Sequence, residues 1–342
     1  MKALRSAATN GSVLAGLVLA VMYVVYMYSS VDVLTIENAT DLFNNAAPLV
    51  VAATGLTLVI VSGGYDLSIG GVVVIANVIL ATQSGSTTQS GLLAIAVALA
   101  AGLLVGAING FLVAYLGVQS IAATLGTFIM CTGIALVIML SPGGSVPDFI
   151  SPGLNSTVGG VVPVAFLVVL ACVLGWLILR RCRFGVHIYA LGSDERSAVQ
   201  SGIRRANVKF RVFVGAGFLY AAAGVMLTAQ TASGDPNGSA LFMVLVFAAV
   251  AIGGTRFGGG RGSAIGSILG AGVLAVLQKM LFALGVSTFY TGIVQGAVLI
   301  LAVLLGQVSL GLAQRSRVSE STQLIHGTEP AGPQAAQTGG QS

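Results

Sequence analysis

The carboxylate of Asp66 lies in the otherwise apolar stretch "VSGGYDLSIGGVVVIANVILA", residues 61–81. A carboxylate at the centre of a bilayer costs about 2.5–3.5 kcal/mol on insertion scales, so this one needs a role if the stretch crosses a membrane. It can cap a helix that begins at Leu67, by accepting hydrogen bonds from free backbone N–H groups. It can also line a polar path, because glycine-broken backbone is tolerated in lipid only beside a cavity or inside protein. The two roles are compatible, and we rank capping first.

A second glycine-rich stretch, "IGGTRFGGGRGS" at residues 252–263, also follows an apolar run. Two such interruptions predict two broken membrane helices, whose free backbone groups could serve a polar solute. The pathway hypothesis therefore groups the glycine pairs with the polar side chains nearest to the first break. Its members are Gly63, Gly64, Asp66, Ser68, Asn77, Gly253 and Gly254. Interhelical hydrogen bonds better explain the other polar residues of the apolar runs, which are Asn109, Gln119, Gln278 and Gln295.

The residue types that carry out catalysis or bind metals are not arranged for either task. The sequence contains no G-x-x-x-x-G-K-[ST] loop, so the chain is not expected to hydrolyse ATP. Cys131, Cys172 and Cys182 lie far apart and predict neither a disulfide framework nor a metal site. His187 and His326 fall outside the apolar runs, which argues against a proton relay. We predict no catalytic residue, no metal and no cofactor, and any ATP would be used by a separate ATPase.

The composition is that of an integral membrane protein. Of the 342 residues, 56% are hydrophobic and 7% are charged, whereas about a quarter of residues are charged in an average soluble domain. Apolar runs of about 17 to 25 residues can cross a bilayer as helices. Ten candidate runs predict an all-α polytopic fold: 13–30, 46–62, 67–83, 91–116, 120–140, 160–180, 211–232, 240–253, 262–284 and 289–311. The eighth is short and ends in glycines, so it could stop inside the membrane.

The distribution of Lys and Arg predicts how the chain is oriented. With ten crossings and an inner N-terminus, the outer loops hold no Lys or Arg, and most of the 15 basic residues fall in inner segments. Both termini are therefore predicted to be cytoplasmic by the positive-inside rule. Lys279 is the exception and must either snorkel to the outer interface or face protein. The net charge of +5 is thus a topology signal, and nucleic-acid binding is not predicted.

The chain divides into a cytoplasmic N-terminus (1–12), a transmembrane domain (13–311) and a cytoplasmic tail (312–342). The tail is rich in Gln, Gly, Ala and Pro and is predicted to be disordered. The transmembrane domain includes a long inner loop, residues 181–210, which is predicted to form a short amphipathic helix. Ser193 or Asp194 would cap that helix, with Glu195 in its first turn. The loop is either a solvated connector or a docking surface, and a compact helix with apolar positions favours docking.

Two further patterns concern the packing of the helices. The two glycine breaks, together with "LGVQSIAATLG" (116–126) and "LGVSTFYTGIVQG" (284–296), indicate two weakly related halves, which is typical of transporters. Glycines also recur at every fourth position in two rows, which lets helix backbones approach closely in lipid. The rows are Gly102, Gly106 and Gly110, and Gly262, Gly266 and Gly270. We expect both rows to pack within one chain rather than between copies.

Four motifs in order carry a resemblance to a known family: "GGYDLSIGG", "FGVHIYALGSDERSAVQSGI", "IGGTRFGGGRGS" and "LGVSTFYTGIVQGAVLILAVLL". Over residues 46–311 the chain resembles the membrane permease subunits of bacterial ABC importers for simple sugars, of the ribose, xylose and galactose type. It departs from their usual pattern at Tyr65 and Arg256, where a small or apolar residue is common, and at Ser193, where an asparagine is common. Branched-chain amino acid permeases belong to the same wider group, but "GGYDLS" is more similar to the sugar branch.

The resemblance implies a set of partners and a location. The partners are a cytoplasmic ABC ATPase dimer, an extracytoplasmic solute-binding protein and a second permease copy or paralogue, all assembled at the lipid bilayer of the bacterial cytoplasmic (inner) membrane. It also implies that the inner-loop helix, at about Ser193–Ile203, is a coupling helix that sits in a groove of the ATPase. The residues it would use are Gly192, Ser193, Asp194, Glu195, Ser201, Gly202 and Ile203.

The sequence therefore predicts a permease subunit that moves a small polar solute, a monosaccharide on the resemblance, by alternating access. Three alternatives remain open at this point. One is a branched-chain amino acid ABC permease. Another is a secondary transporter or channel that needs no ATPase, for which Asp66 is the only candidate coupling carboxylate in the membrane. The third is a non-transporting scaffold or sensor, which leaves the two glycine breaks without a use.

Overall fold

The computed structural model describes residues 11–29, 35–82, 87–146, 149–287, 290, 292–297 and 300. Within these residues the chain is mostly helical, as predicted. The helices are α1 (Gly11–Ser29), α2 (Ile36–Val61), α3 (Ile69–Ala81), α4 (Thr88–Ala114), α5 (Ser120–Ile138), α6 (Ser151–Asn155), α7 (Val164–Arg181), α8 (Arg183–Ser193), α9 (Glu195–Gln200), α10 (Arg205–Thr231), α11 (Ser239–Ile252) and α12 (Ala264–Ala283). A short antiparallel hairpin, β1 (Thr157–Val158) and β2 (Val162–Pro163), precedes α7.

The described residues include 7 helices that are long and apolar enough to cross a membrane, namely α1, α2, α4, α5, α7, α10 and α12. Two shorter apolar helices, α3 and α11, adjoin the glycine breaks. These helices confirm the polytopic helical class. The tenth predicted segment, 289–311, lies largely outside the described residues, as do the predicted tail and residues 1–10.

Two membrane helices begin earlier than hydropathy predicts. The predicted start of the second segment at residue 46 is wrong, because α2 begins at Ile36. Thr35 caps this helix by accepting a hydrogen bond from the backbone N–H of Asn38 at 3.2 Å. The first turns of the helix are polar, so a search for apolar runs does not detect them. Similarly, α10 begins at Arg205 rather than at residue 211.

Helix α10 lies at the centre of the bundle and packs against α2, α3 and α4. The closest approach is between small residues, because a Cβ at Gly102 would overlap the backbone oxygen of Gly217 and a Cβ at Gly106 would meet that of Phe213 at 2.5 Å. The glycine row of α4 therefore packs within the chain, as predicted. Because glycine has no side chain, the two helix backbones approach closely and gain dispersion contacts. Such contacts stabilise helix packing in lipid, where no hydrophobic force drives association.

The second glycine row is shorter than predicted. Gly262 does not belong to α12, which begins at Ala264, and its φ of +152° places it in the preceding break. Gly266 and Gly270 do face a neighbouring helix, since a Cβ at either position would overlap the backbone of Gly253 or Ala249. They pack α12 against α11 within the chain, as expected for the row.

Lys279, the residue that did not fit the predicted orientation, faces protein. Its Nζ lies 3.0 Å from Oδ2 of Asp41, which joins α12 to the first turns of α2. The ammonium group is thus paired rather than left alone among apolar side chains.

Candidate functional site

Both predicted glycine breaks are present, and the same cap ends the helix before each. After α2, the N–H of Gly63 donates to Ile60 O at 2.9 Å and that of Gly64 to Val59 O at 3.0 Å. This pair of bonds is a Schellman motif, and it requires a left-handed residue, which Gly63 supplies with φ +81°. The non-helical backbone then continues to Ser68, where α3 follows.

The break after α11 repeats the arrangement. The N–H of Gly254 donates to Ala251 O at 3.0 Å, and that of Thr255 donates to Val250 O at 3.3 Å. Gly254 has φ +75°, so it takes the position that Gly63 takes in the first break. The non-helical backbone runs from Gly253 to Ser263. The two breaks thus begin with the same local geometry, and the predicted relationship between the two halves stays a prediction.

Asp66 is buried in a polar network that joins the first break to α4 and α5. Its Oδ1 accepts hydrogen bonds from the backbone N–H of Ser68 at 2.9 Å and from Ser68 Oγ at 2.6 Å. Asn109 Nδ2 donates to Ser68 Oγ at 2.9 Å, and Thr127 Oγ1 donates to Asn109 Oδ1 at 2.9 Å. Asp66 is 1% exposed. The hydroxyl of the fully buried Tyr220 lies close enough to the carboxylate to interact with it electrostatically.

The predicted helix start at Leu67 is wrong, because α3 begins two residues later, at Ile69. The carboxylate of Asp66 does accept a hydrogen bond from a free backbone N–H ahead of the helix, that of Ser68. Other free N–H groups of the break are satisfied by α5, because the N–H of Tyr65 donates to Ser120 Oγ at 3.1 Å and that of Leu67 donates to Thr124 Oγ1 at 3.0 Å. The broken backbone is thus tolerated because protein side chains replace the missing helix bonds.

The residues of α5 that support the break were not predicted from the sequence. Ser120, Thr124 and Thr127 are spaced four and three residues apart in an otherwise apolar helix. That spacing places them on one face, so a polar stripe on α5 was the available signal.

Asn77 does not share a hydrogen-bond network with Asp66, and their grouping along one pathway stays a prediction. Asn77 Nδ2 donates to Thr228 Oγ1 and to Ser233 O, both at 2.9 Å, and its Oδ1 accepts from the N–H of Asp235 at 2.7 Å. Asn77 is nine residues beyond Ser68, which corresponds to about 13 Å along a helix. It fixes the opposite end of α3 to the loop after α10.

The two breaks meet each other directly. The N–H of Gly260 donates to Val61 O at 3.0 Å, so backbone joins backbone. Tyr65 Oη donates to Phe257 O at 2.9 Å, and the rings of these two residues stack with centroids 6.4 Å apart and an interplanar angle of 8°. Phe247 of α11 also stacks with Phe257, with ring centroids 6.2 Å apart. The predicted pathway residues Gly63, Gly64, Gly253 and Gly254 thus lie in two segments that form one junction.

The inner loop reaches this junction through the end of α8. Tyr189 Oη donates to Gly262 O at 2.6 Å, and Ser193 Oγ donates to Gly260 O at 3.5 Å. Burial raises the pKa of Tyr189, so its hydroxyl remains a donor at neutral pH. Gly192 is in backbone contact with both breaks, because a Cβ there would overlap Val61 O and lie 2.5 Å from the N atom of Gly260.

The predicted coupling helix is present but differs from the expected span. It is α9, Glu195–Gln200, and a separate helix that was not predicted, α8, precedes it. Asp194 caps α9 as predicted, accepting from the N–H groups of Arg196 at 3.0 Å and Ser197 at 3.2 Å. Hydrogen bonds from the hydroxyl and N–H of Ser197 lower the pKa of the Asp194 carboxyl, so the cap is ionised at neutral pH.

Residues 201–203 end α9 instead of extending it. The N–H of Gly202 donates to Val199 O at 2.9 Å and that of Ile203 donates to Ala198 O at 3.2 Å, which is a third Schellman motif. Gly202 has φ +87°, and the half-buried Ile203 follows it. Ser201 is the C-cap. These residues fix the length of α9 and the direction in which the chain leaves it.

Glu195 holds α9 against α10. Its carboxylate lies 2.6 Å from Arg205 Nε and 2.6 Å from Lys209 Nζ, and Lys209 is buried. Glu195 therefore bonds within its own chain, and its predicted contact with a partner stays a prediction. The exposed residues of α9 are Arg196, Ser197, Val199 and Gln200.

We expect Glu195→Gln to lower the thermal midpoint of unfolding and to misplace α9. The substitution leaves a buried ammonium without its anion, which costs far more than the loss of an exposed ion pair. Thermal unfolding followed by tryptophan fluorescence or light scattering measures the effect. Glu37→Gln, at an exposed carboxylate in the first turn of α2, is the matched control. Equal midpoints for the two variants contradict the positioning role.

A separate apolar cavity of about 580 Å³ lies between α2, α4, α7 and α10. Its lining includes Thr54, Leu58, Leu99, Cys172, Trp176 and Met226, and none of the predicted pathway residues lines it. An apolar lining cannot satisfy the hydroxyl groups of a polar solute, so this cavity does not replace the glycine junction as the candidate site.

A multi-pass helical protein whose two broken helices meet at the end of a structured loop between membrane helices has the organisation of a membrane transport component. Residues 38–303 match the family model described as "Branched-chain amino acid transport system / permease component". The chain belongs to this family of transport permeases. A comparison with solved structures gives no match.

Relatives within the family carry the names of sugar transport proteins. The chain is 32% identical to the ribose import permease protein RbsC of Escherichia coli (strain K12) over 278 residues, which cover 79% of this chain and 85% of the relative. It is 34% identical to the D-allose transport system permease protein AlsC of the same strain over 282 residues, covering 80% and 85%. It is also 34% identical to the galactofuranose transporter permease protein YtfT of that strain over 288 residues, covering 81% and 82%.

Proposed function

We propose that this chain is the membrane-spanning permease subunit of an ATP-driven importer for a monosaccharide. Its relatives named for ribose, allose and galactofuranose support a sugar as the solute. The family description mentions branched-chain amino acids, but the relatives reported above do not favour that alternative. The observation that carries the proposal is the junction at which both glycine breaks contact the segment leading into α9.

The structure also bears on the ion-driven alternative. A secondary transporter needs an ionisable group that binds and releases a coupling ion, and Asp66 is its candidate. Asp66 is instead committed to Ser68 and buried behind α4 and α5. A carboxylate so engaged supports a structural role, which favours an external energy source.

In this proposal the permease domain spans residues 13–311 with ten crossings, and the N-terminus (1–12) and tail (312–342) lie in the cytoplasm. The chain resides in the bacterial inner membrane, beside a second permease copy or paralogue. A solute-binding protein delivers the sugar from outside, and a cytoplasmic ABC ATPase binds α9. The permease itself performs no catalysis and holds no cofactor, since ATP is used by the ATPase.

The exposed face of α9 offers a docking surface for the ATPase. Val199 is 48% exposed there, between the polar side chains of Arg196 and Gln200, while Ala198 is buried against the chain. An exposed apolar side chain on a short, rigidly capped helix suits insertion into a groove. The two caps and the Glu195 ion pairs fix the orientation of this face before any partner binds.

We expect Val199→Asp to reduce ATPase association several-fold, because docking would bury a carboxylate without a partner. Val199→Thr, which keeps the branched shape, is the matched control and should retain most of the ATPase. Quantitative pull-down of each variant from membranes measures the ratio of ATPase to permease. Equal ratios for Val199→Asp and wild type contradict docking through this face.

Native mass spectrometry of the chain purified from its own membrane in mild detergent tests the proposal as a whole. The expected result is a complex that contains a second permease and an ATPase. A complex that contains no ATPase, recovered from cells actively taking up sugar, contradicts the importer proposal and favours an ion-driven transporter.

A further inference from the structure

We propose that Tyr65 and Phe257 form an inner gate of the transport path, and that Gly192 and Ser193 connect this gate to the coupling helix α9. The inference rests on the proposed function, which it deepens by naming the contact that opens. The term inner gate is used below for Tyr65, Phe257 and the break segments that carry them, 62–68 and 253–263.

The first argument is that the two break segments themselves meet through few contacts, while the helices that carry them stay packed, α11 and α12 both lying against α2. One hydrogen bond from Tyr65 Oη to Phe257 O, one ring stack and one backbone bond from Gly260 to Val61 join the two breaks. Both rings are only half-buried. Around them lie Gly63, Gly259 and Gly260, which contribute no side chains to the contact. A contact of this size can form and break in every cycle without disturbing the surrounding helices.

The second argument is that the first side of the contact is anchored and the second side has a hinge. The N–H groups of Tyr65 and Leu67 are both anchored to α5, and Asp66 is anchored through Ser68 and Asn109 to α4. Three residues before Phe257, the chain passes through the left-handed Gly254. Movement can therefore be confined to the side chain of Tyr65 and to the second break, since the helices on either side stay packed.

The third argument is that the inner loop touches both sides of the gate at one point. Gly192 lies against Val61 at the end of α2, Gly63 of the first break, and Gly259 and Gly260 of the second. Ser193 bonds to Gly260 O, and the next residue, Asp194, is the N-cap of α9. This N-cap is only two residues beyond Gly192. A displacement of α9 by a bound partner is therefore passed to both breaks through this short segment of backbone.

The test is a chemical bridge across the inner gate. Tyr65→Cys and Phe257→Cys are combined in a chain whose native cysteines are replaced (Cys131→Ala, Cys172→Ala, Cys182→Ser), and the complex with its ATPase is treated with a short thiol-specific bridging reagent. We expect the bridging yield to differ several-fold between nucleotide-free and vanadate-trapped complexes. We also expect the bridge to stop uptake, with recovery after reduction.

A matched control uses another aromatic pair. Phe43 and Phe166 join α2 to α7 with ring centroids 5.1 Å apart, outside the inner gate. Bridging the pair Phe43→Cys and Phe166→Cys should give the same yield in both nucleotide states and leave uptake intact. The proposal is overturned if the 65–257 bridge fails to form in any state, forms equally in both states, or forms without stopping uptake.

A second measurement keeps the native cysteines. In proteoliposomes loaded with labelled sugar, Tyr65→Ala should leak several-fold faster than wild type without ATP, because it loses both the stack and the hydrogen bond. Tyr65→Phe retains the stack and should leak less than Tyr65→Ala. Wild-type leak rates in both variants overturn the gate. If the wild-type complex shows no ATP-driven uptake at all, the proposed function fails, whereas normal wild-type uptake with an inert bridge removes the gate alone.

Discussion

Gly192→Ala is expected to lower ATP-driven uptake by about tenfold or more, since overpacking a tight contact costs about 1–3 kcal/mol and each 1.4 kcal/mol is tenfold in an equilibrium. A Cβ at this position would overlap Val61 O and crowd the N–H of Gly260, which is itself bonded to Val61 O. The obstacle is backbone on both sides, so no flexible side chain can move away. The end of α8 must therefore shift from at least one break.

Helix propensity alone predicts that Gly192→Ala stabilises α8, because alanine is more favourable than glycine inside a helix by about 1 kcal/mol. A loss of uptake would therefore not come from a weaker helix. Gly215→Ala is the matched control, since it lies within α10 and a Cβ there meets no atom within 4 Å. Uptake by reconstituted complexes, normalised to the amount of inserted chain, separates the two variants. Wild-type uptake by Gly192→Ala would show that the junction does not transmit motion.

Asp66→Ala is expected to reduce the amount of folded chain and its uptake together. The substitution removes the acceptor of two buried hydrogen bonds from Ser68, and each unsatisfied buried donor costs about 1–3 kcal/mol. Asn109 and Thr127 follow in the same network, so the disturbance extends to α4 and α5. Monodispersity in detergent and thermal unfolding measure the loss of fold.

Asp66→Asn distinguishes a structural carboxylate from one that serves the solute. Only Oδ1 accepts the two bonds from Ser68, and an amide oxygen can accept both. We therefore expect Asp66→Asn to keep both fold and uptake near wild type. A folded Asp66→Asn chain without uptake would instead assign the negative charge to the transport path.

The features that the sequence predicted correctly are local ones. The glycine pairs at 63–64 and 253–254 mark breaks because a left-handed C-cap depends on the residue at that position alone. The same holds for Asp194, whose cap involves N–H groups two and three residues along the chain. Apolar runs similarly predict membrane helices, since length and composition suffice.

The features that were missed depend on pairs of residues far apart in sequence. Asp66 and Asn77 lie in the same short stretch of sequence but bond to different neighbours. Asp66 is joined through Ser68 to Asn109, whereas Asn77 bonds to the loop after α10, and no local sequence signal distinguishes the two cases. The ion pair of Glu195 with Lys209, 14 residues away, was likewise not predicted. The early start of α2 was missed because a polar capped turn carries no hydropathy signal.

ATP-driven sugar uptake by the reconstituted complex tests the central claim most directly. Proteoliposomes that contain this chain and the ATPase that purifies with it are supplied with its solute-binding protein and a panel of labelled pentoses and hexoses. We predict accumulation of one sugar that requires hydrolysable ATP on the ATPase side and persists when ion gradients are collapsed. Accumulation that continues without the ATPase and stops when the ion gradients are collapsed would contradict the account.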